Sequence, residues 1–444
     1  MPQKQGNEMF LIYNILLPIL FLFYLPFYLI HIIKRGGLTK EYWQRFGFFG
    51  KEIREKLAGL KSKVWVHAVS VGESVAAVTF IKAWQKAHPE DSVVFTCSTS
   101  TAFETMRKKN LPNVVLMYCP IDFYWAVRTA LKIINPHTLA IFEVEIWPNL
   151  ILQAAKRGVK VCLVNGRMSD KSSQGYAKYK WIFKPILDSL AVICVQTEED
   201  AARVERVVGN RDRIKVCDTM KFDQVPDVGA NDVSAVLDAA FGNGPRTTFV
   251  AGSTHPGEEE LVCEAMKALK PEYPELKMVL VPRHCERGAD VCKVVASYGL
   301  TCKAIKPLEG QAQADGPVDV LLVNTTGELM NFYGAADIAY VGKSMAGQTG
   351  GHNIIEPAIF GKAIIHGPHM ENFRAVAAIF KERKASLEVA EDAQFTAALK
   401  RLLANPAERE ELGRNARATV DRYRGAIERT IKAMDSVSAS SASK

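Results

Sequence analysis

Short β-rich apolar runs alternate with amphipathic helical stretches along most of this chain. No other feature limits its fold as much. Seven such runs lie between Lys63 and Asp218: "VWVHAVS", "SVVFTCS", "NVVLMYC", "TLAIFEV", "KVCLVN", "AVICVQ" and "IKVCD". Helical patterns separate them, with helices expected from about Ser74 and Ala102. The stretch 225–246, "VPDVGANDVSAVLDAAFGNGPR", breaks the alternation with turn residues around one short helix and reads as a linker. Five more runs follow: "TTFVAGS", "LKMVLVP", "VDVLLVN", "IAYVG" and "AIIHG". Such runs joined by helices build parallel sheets covered on both faces. The expected fold class is α/β, with two tandem doubly wound Rossmann-like domains. Folds of this kind bind ligands outside the carboxyl ends of their strands, so a cleft lined by those ends is the expected site.

The segment before the first run has a different character. Met9–Ile33, "MFLIYNILLPILFLFYLPFYLIHII", contains no Asp, Glu, Lys or Arg. At 1.5 Å per residue it is long enough to cross a hydrocarbon core of about 30 Å. Pro18 and Pro26 are candidate kinks. A signal peptide would have a shorter apolar core and a small-residue cleavage site; a helix lying in the interface is the other membrane reading. Lys34, Arg35, Lys40 and Arg45 follow it and only Lys4 precedes it, which places the bulk of the chain on the cytoplasmic face. The domain expectation is a membrane anchor over 1–36, an acceptor-binding domain over 37–225, a linker over 226–245, a nucleotide-binding domain over 246–432 and a disordered tail over 433–444.

Nine cysteines are scattered without CxxC spacing, mostly in apolar runs, and read as buried thiols in a reducing compartment rather than zinc ligands or disulfides. A net charge of +8 suits phosphates or an anionic membrane. Basic runs interleaved with aromatics are missing, so nucleic acid is not an expected partner.

Polar residues gather where strands end. In "AGSTHPGEEE" the strand is expected to turn at Gly252, leaving Ser253 and Thr254 at a helix N-terminus, to bind phosphate or simply to cap the helix. Arg283 in "VPRHCER" can grip a phosphate through two hydrogen bonds, and His284 adds a donor. Gly327 and Glu328 open a helix in "NTTGELMNFYGAAD". In "GGHNIIEPAIFGKAIIHGP", Gly350 and Gly351 allow close backbone approach, His352 and Asn353 offer donors, and Glu356 can accept both hydroxyls of a ribose. Several helix N-termini and one arginine around a pocket suit a nucleotide whose phosphate leaves with it. The sequence carries no DxD-type pair placed as a metal clamp, so a metal-independent reaction without cofactor is expected.

In the first half, Glu73 of "HAVSVGES" stands where the first strand gives way to the first helix. It can deprotonate an attacking hydroxyl or complement the helix dipole. Glu143 and Glu145 of "FEVEIWPN" can orient hydroxyls or serve the structure alone, and Arg167 of "NGRMSD" can meet an acceptor phosphate.

Taken in order, "HAVSVGES", "FEVEIWPN", "NGRMSD", "AGSTHPGEEE", "VPRH", "GELMNFYGAADIAYVG" and "GGHNIIEPAIFGKAIIHGP" resemble the motifs of the 3-deoxy-D-manno-octulosonic acid (Kdo) transferases of lipopolysaccharide assembly. The resemblance runs from the apolar N-terminal segment to the last helices. It implies a membrane-anchored, inverting enzyme of the GT-B architecture at the inner membrane. The implied donor is CMP-Kdo and the implied acceptor is the lipid A precursor. On that pattern Glu73 is the general base toward the acceptor 6′-hydroxyl. Ser253, Thr254, Arg283, His284, Gly327, Glu328, Asn353 and Glu356 fall where the family binds CMP, and Gly350 and Gly351 would admit the nucleotide. Two other readings fit the same chain: a GT-B transferase using a UDP-sugar, separated by nucleotide choice, and a non-catalytic binding protein, in which Glu73 would be dispensable.

Overall fold

The computed structural model describes residues 2–34, 40–143, 145–225, 229–308 and 316–441. The expected boundary at residues 36 and 37, the first three residues of the expected linker and the last three of the tail lie outside them. The chain forms two compact units, one built from Met1–Gln224 with Gly425–Lys444 and the other from Val225–Arg424.

The first unit holds seven strands: β1 (Ser62–Ala68), β2 (Asp91–Cys97), β3 (Val114–Tyr118), β4 (Thr138–Phe142), β5 (Lys160–Gly166), β6 (Val192–Val195) and β7 (Ile214–Val216). All pair in parallel, in the order β3-β2-β1-β4-β5-β6-β7. Side chains alternate across the sheet as a period of two requires. Trp65, Leu139, Ile141 and Leu163 pack into one layer, and Val64, Val66, Ala140 and Phe142 into the other. Burial on both faces explains why these strands read as unbroken apolar runs.

The second unit repeats the plan with β8 (Thr247–Thr254), β9 (Leu276–Pro282), β10 (Cys302–Ala304), β11 (Val320–Leu322), β12 (Ile338–Val341), β13 (Ala363–His366) and β14 (Leu387–Glu388). The order is β10-β11-β9-β8-β12-β13-β14, again all parallel. Strand order reverses beside β1 in the first sheet and beside β8 in the second, creating a topological switch point in each, between β1 and β4 and between β8 and β12.

Two expectations need correction. The tail expected to be disordered from 433 is helical over Ala426–Ser441. Ile427, Ile431 and Met434 recur at helical spacing and are buried against the first sheet's core, which outweighs the Ser-rich composition. Asp223 fixes the start of this helix by accepting from the backbone of Gly425 and Ile427, each at 2.7 Å. The segment therefore belongs to the first unit, and the expected nucleotide-binding domain ends at Arg424 rather than at residue 432. The expected linker is also part of the second unit: its short helix, Ser234–Phe241, buries Leu237, Ala240 and Phe241.

The N-terminal apolar segment forms one helix, Pro2–Lys34, continuous through Pro18 and Pro26. Among the described residues it is the one helix long and apolar enough to cross a membrane, with Phe10–Phe27 as the candidate span. One edge rests on the first unit. The Tyr13 hydroxyl donates to Asp122 at 2.9 Å, and Asn149 donates to the Asn14 side-chain oxygen at 2.7 Å. Phe21 meets Phe46 and Phe123 edge-on. Asp122 also accepts from the backbone N–H groups of Asn149 and Leu150, capping the helix Pro148–Lys156, and burial pushes its carboxyl up to about 7. The other faces of the N-terminal helix leave Leu20, Phe23 and Phe27 exposed.

Candidate active site

In the first unit the candidate site lies at the switch point, where the loops after β1 and β4 leave neighbouring strands in opposite directions. The chain turns at Val69–Ser70 into the helix Val71–Ala87. Ser70 is the N-cap of that helix, and the Glu73 side chain reaches back across it. The Ser70 hydroxyl accepts from the Glu73 N–H at 3.3 Å, while Glu73 accepts from the Val69 N–H and the Ser70 hydroxyl, both at 2.8 Å. The helix-terminus role considered for Glu73 is thus realised, and it holds the half-buried carboxylate in one orientation.

Glu143 follows β4 with a left-handed backbone, φ 55°, and its N–H donates to Val164 at 2.9 Å. A non-glycine residue held there is strained, a condition found often at functional sites. Burial and the Glu73 charge raise the Glu143 carboxyl. They raise Glu145 further, to about 7. The Glu73 charge acts on both, so three carboxylates share one field. Arg167, exposed just after β5, and Lys221 oppose the rise at Glu143. Lys221 belongs to the turn Met220–Asp223 after β7, and burial depresses its ammonium. Sequence reading missed it: a single lysine in a short turn has no spacing signal.

In the second unit the expected helix N-terminus at Ser253 and Thr254 is corrected. β8 runs on past Gly252 to Thr254, paired with Pro282 across an irregularity at Ser253, whose φ is 55°. The helix begins only at Glu258, after the bend at Pro256 and Gly257. Gly252 is therefore no turn; a side chain there would overlap the Tyr333 ring. Thr254 is fully buried, and among the described residues its hydroxyl has no hydrogen-bond partner.

The buried Glu258 carboxylate organises the loop after β12. It accepts from the backbone of His255, Lys343, Ser344 and Met345 and from the Tyr340 hydroxyl at 2.6 Å. This fixes the ends of β8 and β12 side by side and sets His255 opposite His352, their Nε2 atoms 3.0 Å apart. The His284 ring stands edge-on to His255 at 5.9 Å. Arg283 and Lys343 bear on both His255 and His352, and burial with these cations holds both imidazoles down near 4.

Asn353 stands two residues before the short helix Ile355–Ala358; its side-chain oxygen accepts from the Ile355 N–H at 3.1 Å, and its amide lies 3.5 Å from the Glu356 carboxylate. Burial raises Glu356 to about 7 against the opposing effects of Asn353 and Arg283. Arg283, Asn353, Glu356 and the histidines thus form one neighbourhood. Glu328 is engaged locally, accepting from Asn331 at 3.0 Å next to Gly327 at φ 87°. Gly350 and Gly351 also differ from expectation. Both have left-handed backbones, and side chains there would run into Asn372 and Met370. The space left by these glycines is filled by the chain itself.

The family model of the 3-deoxy-D-manno-octulosonic-acid transferases (kdotransferases) matches residues 40–224. A 3-deoxy-D-manno-octulosonic acid transferase of Bordetella pertussis is 31% identical over 88% of this chain and 92% of its own length. That of Haemophilus influenzae is 29% identical over 87% and 89%. Among solved structures, a glycosyltransferase of Rickettsia africae (TM-score 0.54, 11% identity, 85% of this chain and 98% of that one) and MurG of Acinetobacter baumannii (0.53, 13%, 85% and 99%) share the fold. With its two parallel-sheet units in the GT-B manner and this similarity over most of its length, the chain belongs to the 3-deoxy-D-manno-octulosonic acid transferases, the glycosyltransferases that supply Kdo in lipopolysaccharide biosynthesis.

Proposed function

We propose that the chain transfers Kdo from CMP-Kdo to the 6′-hydroxyl of the lipid A precursor, lipid IVA, with inversion at the anomeric carbon. Glu73 is the general base. It takes the proton of the acceptor hydroxyl as that oxygen bonds to C2 of Kdo, and the C2–O bond to the phosphate breaks on the opposite face with its electron pair going to CMP. The observation that carries this reading is the set of three carboxylates, Glu73, Glu143 and Glu145, at the first switch point of a chain in this family. Two fixed donors orient Glu73, and positioned bases of this kind contribute about 10²–10⁴ in rate. Glu143 and Glu145 would hold acceptor or sugar hydroxyls, and Arg167 an acceptor phosphate.

The donor would occupy the second unit. Arg283, His284, Ser253 and Thr254 would hold its phosphate, and Asn353 and Glu356 its ribose, with Gly327 and Glu328 at the rim. The N-terminal helix would attach the enzyme to the cytoplasmic face of the inner membrane, where the lipid acceptor lies; its exposed apolar faces and the basic residues after it support this. The test is an assay of the purified full chain with tetra-acylated lipid A precursor and CMP-Kdo, read by mass spectrometry of the lipid. A gain of one or more Kdo masses is expected. CMP binding without any gain would reject this acceptor, and preference for UDP over CMP would reject the donor.

A further inference from the structure

The facing histidines of the second unit are not explained by placing a nucleotide beside them. The His255 and His352 rings lie nearly parallel, tilted by 17° with centroids 5.3 Å apart, and their Nε2 atoms are 3.0 Å apart. That separation fits one hydrogen between the two nitrogens. Two lone pairs would repel, and two N–H groups would collide. Two states satisfy the geometry: a neutral pair in opposite tautomers, or a singly charged pair that has gained one proton on an outer nitrogen.

The surroundings decide between these states. After β9, Arg283, His284 and Arg287 face the pair, and after β12, Lys343 does. Glu258 is committed to backbone N–H groups and Tyr340, Arg287 is also bound to Glu259, and Glu286 to His284. Glu371 accepts from Gly350 beside His369, and Glu356 lies with Asn353. Burial first, and these cations with it, disfavour a charge on the rings, so the pair is neutral. A bound phosphate or sugar carboxylate would reverse that field, because an opposite charge within a few ångströms favours the charged form.

We propose that the His255–His352 pair is a proton-gated anion receptor: it is neutral before the donor binds, takes up one proton from solvent as the donor's anionic groups enter, and then holds them as a single shared cation. This rests on the donor reading above and goes beyond it by giving donor binding a proton stoichiometry. The proton moves from solvent to an imidazole nitrogen, with no covalent bond otherwise formed or broken.

The experiment is calorimetric titration of the full chain with CMP at pH 7, in buffers of different ionisation enthalpy. The ligand's phosphate, with a second pKa near 6, is mostly a dianion there and can only release protons on entering a cationic site, so net uptake belongs to the protein. An opposite charge lifts a titrating group by about 1–3 units, which from near 4 gives an uptake of up to about half a proton per CMP bound. In His352→Gln, uptake should fall below half of the wild-type value while CMP still binds, more weakly; in His284→Gln, uptake should persist. CMP binding to the wild-type chain with no proton uptake would overturn the proposal. So would uptake that survives His352→Gln and disappears in His284→Gln. Failure of the wild-type chain to bind CMP at all would overturn the donor reading itself.

Discussion

The two units place their chemistry at the same point of the same kind of sheet, yet fill it with opposite charges. At the β1/β4 switch point the first unit gathers carboxylates, and each of Glu143 and Glu145 is raised by burial and by the charge of Glu73. At the β8/β12 switch point the second unit gathers imidazoles and cations, and His255 and His352 are lowered. Topology fixes where a site can form, while side-chain charge sets which reaction partner it can serve. Crowded acids suit proton acceptance and hydroxyl binding. Crowded cations suit a phosphate or carboxylate.

The strongest way to break this division is at Glu73. Glu73→Gln keeps an oxygen for the Val69 N–H, so the helix cap should survive. Turnover should fall by about 10²–10⁴ while CMP affinity, measured by calorimetry, stays the same. Near-wild-type turnover would remove the base from the acidic site. The next largest effect is expected at Arg283. Arg283→Ala should raise the CMP dissociation constant by about 10–100-fold, the loss of a charged hydrogen-bond partner worth roughly 1.5–3 kcal/mol. Unchanged affinity would place the anion elsewhere.

The smallest effect sharpens the acidic side. Glu145 has an ordinary carboxyl value of 4.5 when unfolded and about 7 when folded, so the native state binds its proton more tightly. Its contribution to stability is full below about 4.5 and is lost as pH rises through about 7. Glu145→Gln should therefore melt about 2–4 °C higher than the wild type at pH 8. The gap should close by pH 4.5. A gap independent of pH would mean that packing, not charge, sets it.

Most of the fold was legible because its strands are buried on both faces and read as apolar runs. The two strands missed, β10 and β14, span Cys302–Ala304 and Leu387–Glu388 and lie at the sheet's edges. Segments so short gain strand structure from a neighbour rather than from their own pattern. The disordered reading of the tail failed because composition outweighed the stripe of Ile427, Ile431 and Met434. In the site, residues fixed by local turns, such as Glu73 three positions after Ser70, could be found from spacing. The His255–His352 contact joins positions 97 residues apart, and the Glu143–Lys221 neighbourhood is also remote in sequence. Such pairings are set by strand order and leave no local trace. Ser253 and Thr254 were misplaced because nothing local announces that β8 continues past Gly252.

The return of the last helix to the first unit has a consequence for biosynthesis. The second unit is one uninterrupted stretch of about 200 residues, whereas the first needs segments from both ends of the chain. At ribosomal rates of about 5–20 residues per second, roughly 10–40 s separate the emergence of Gln224 from that of Gly425. During that interval the N-terminal apolar helix and the first sheet are already outside the ribosome, but the core surface destined for Ile427, Ile431 and Met434 is uncovered. The unit that begins first is the one finished last.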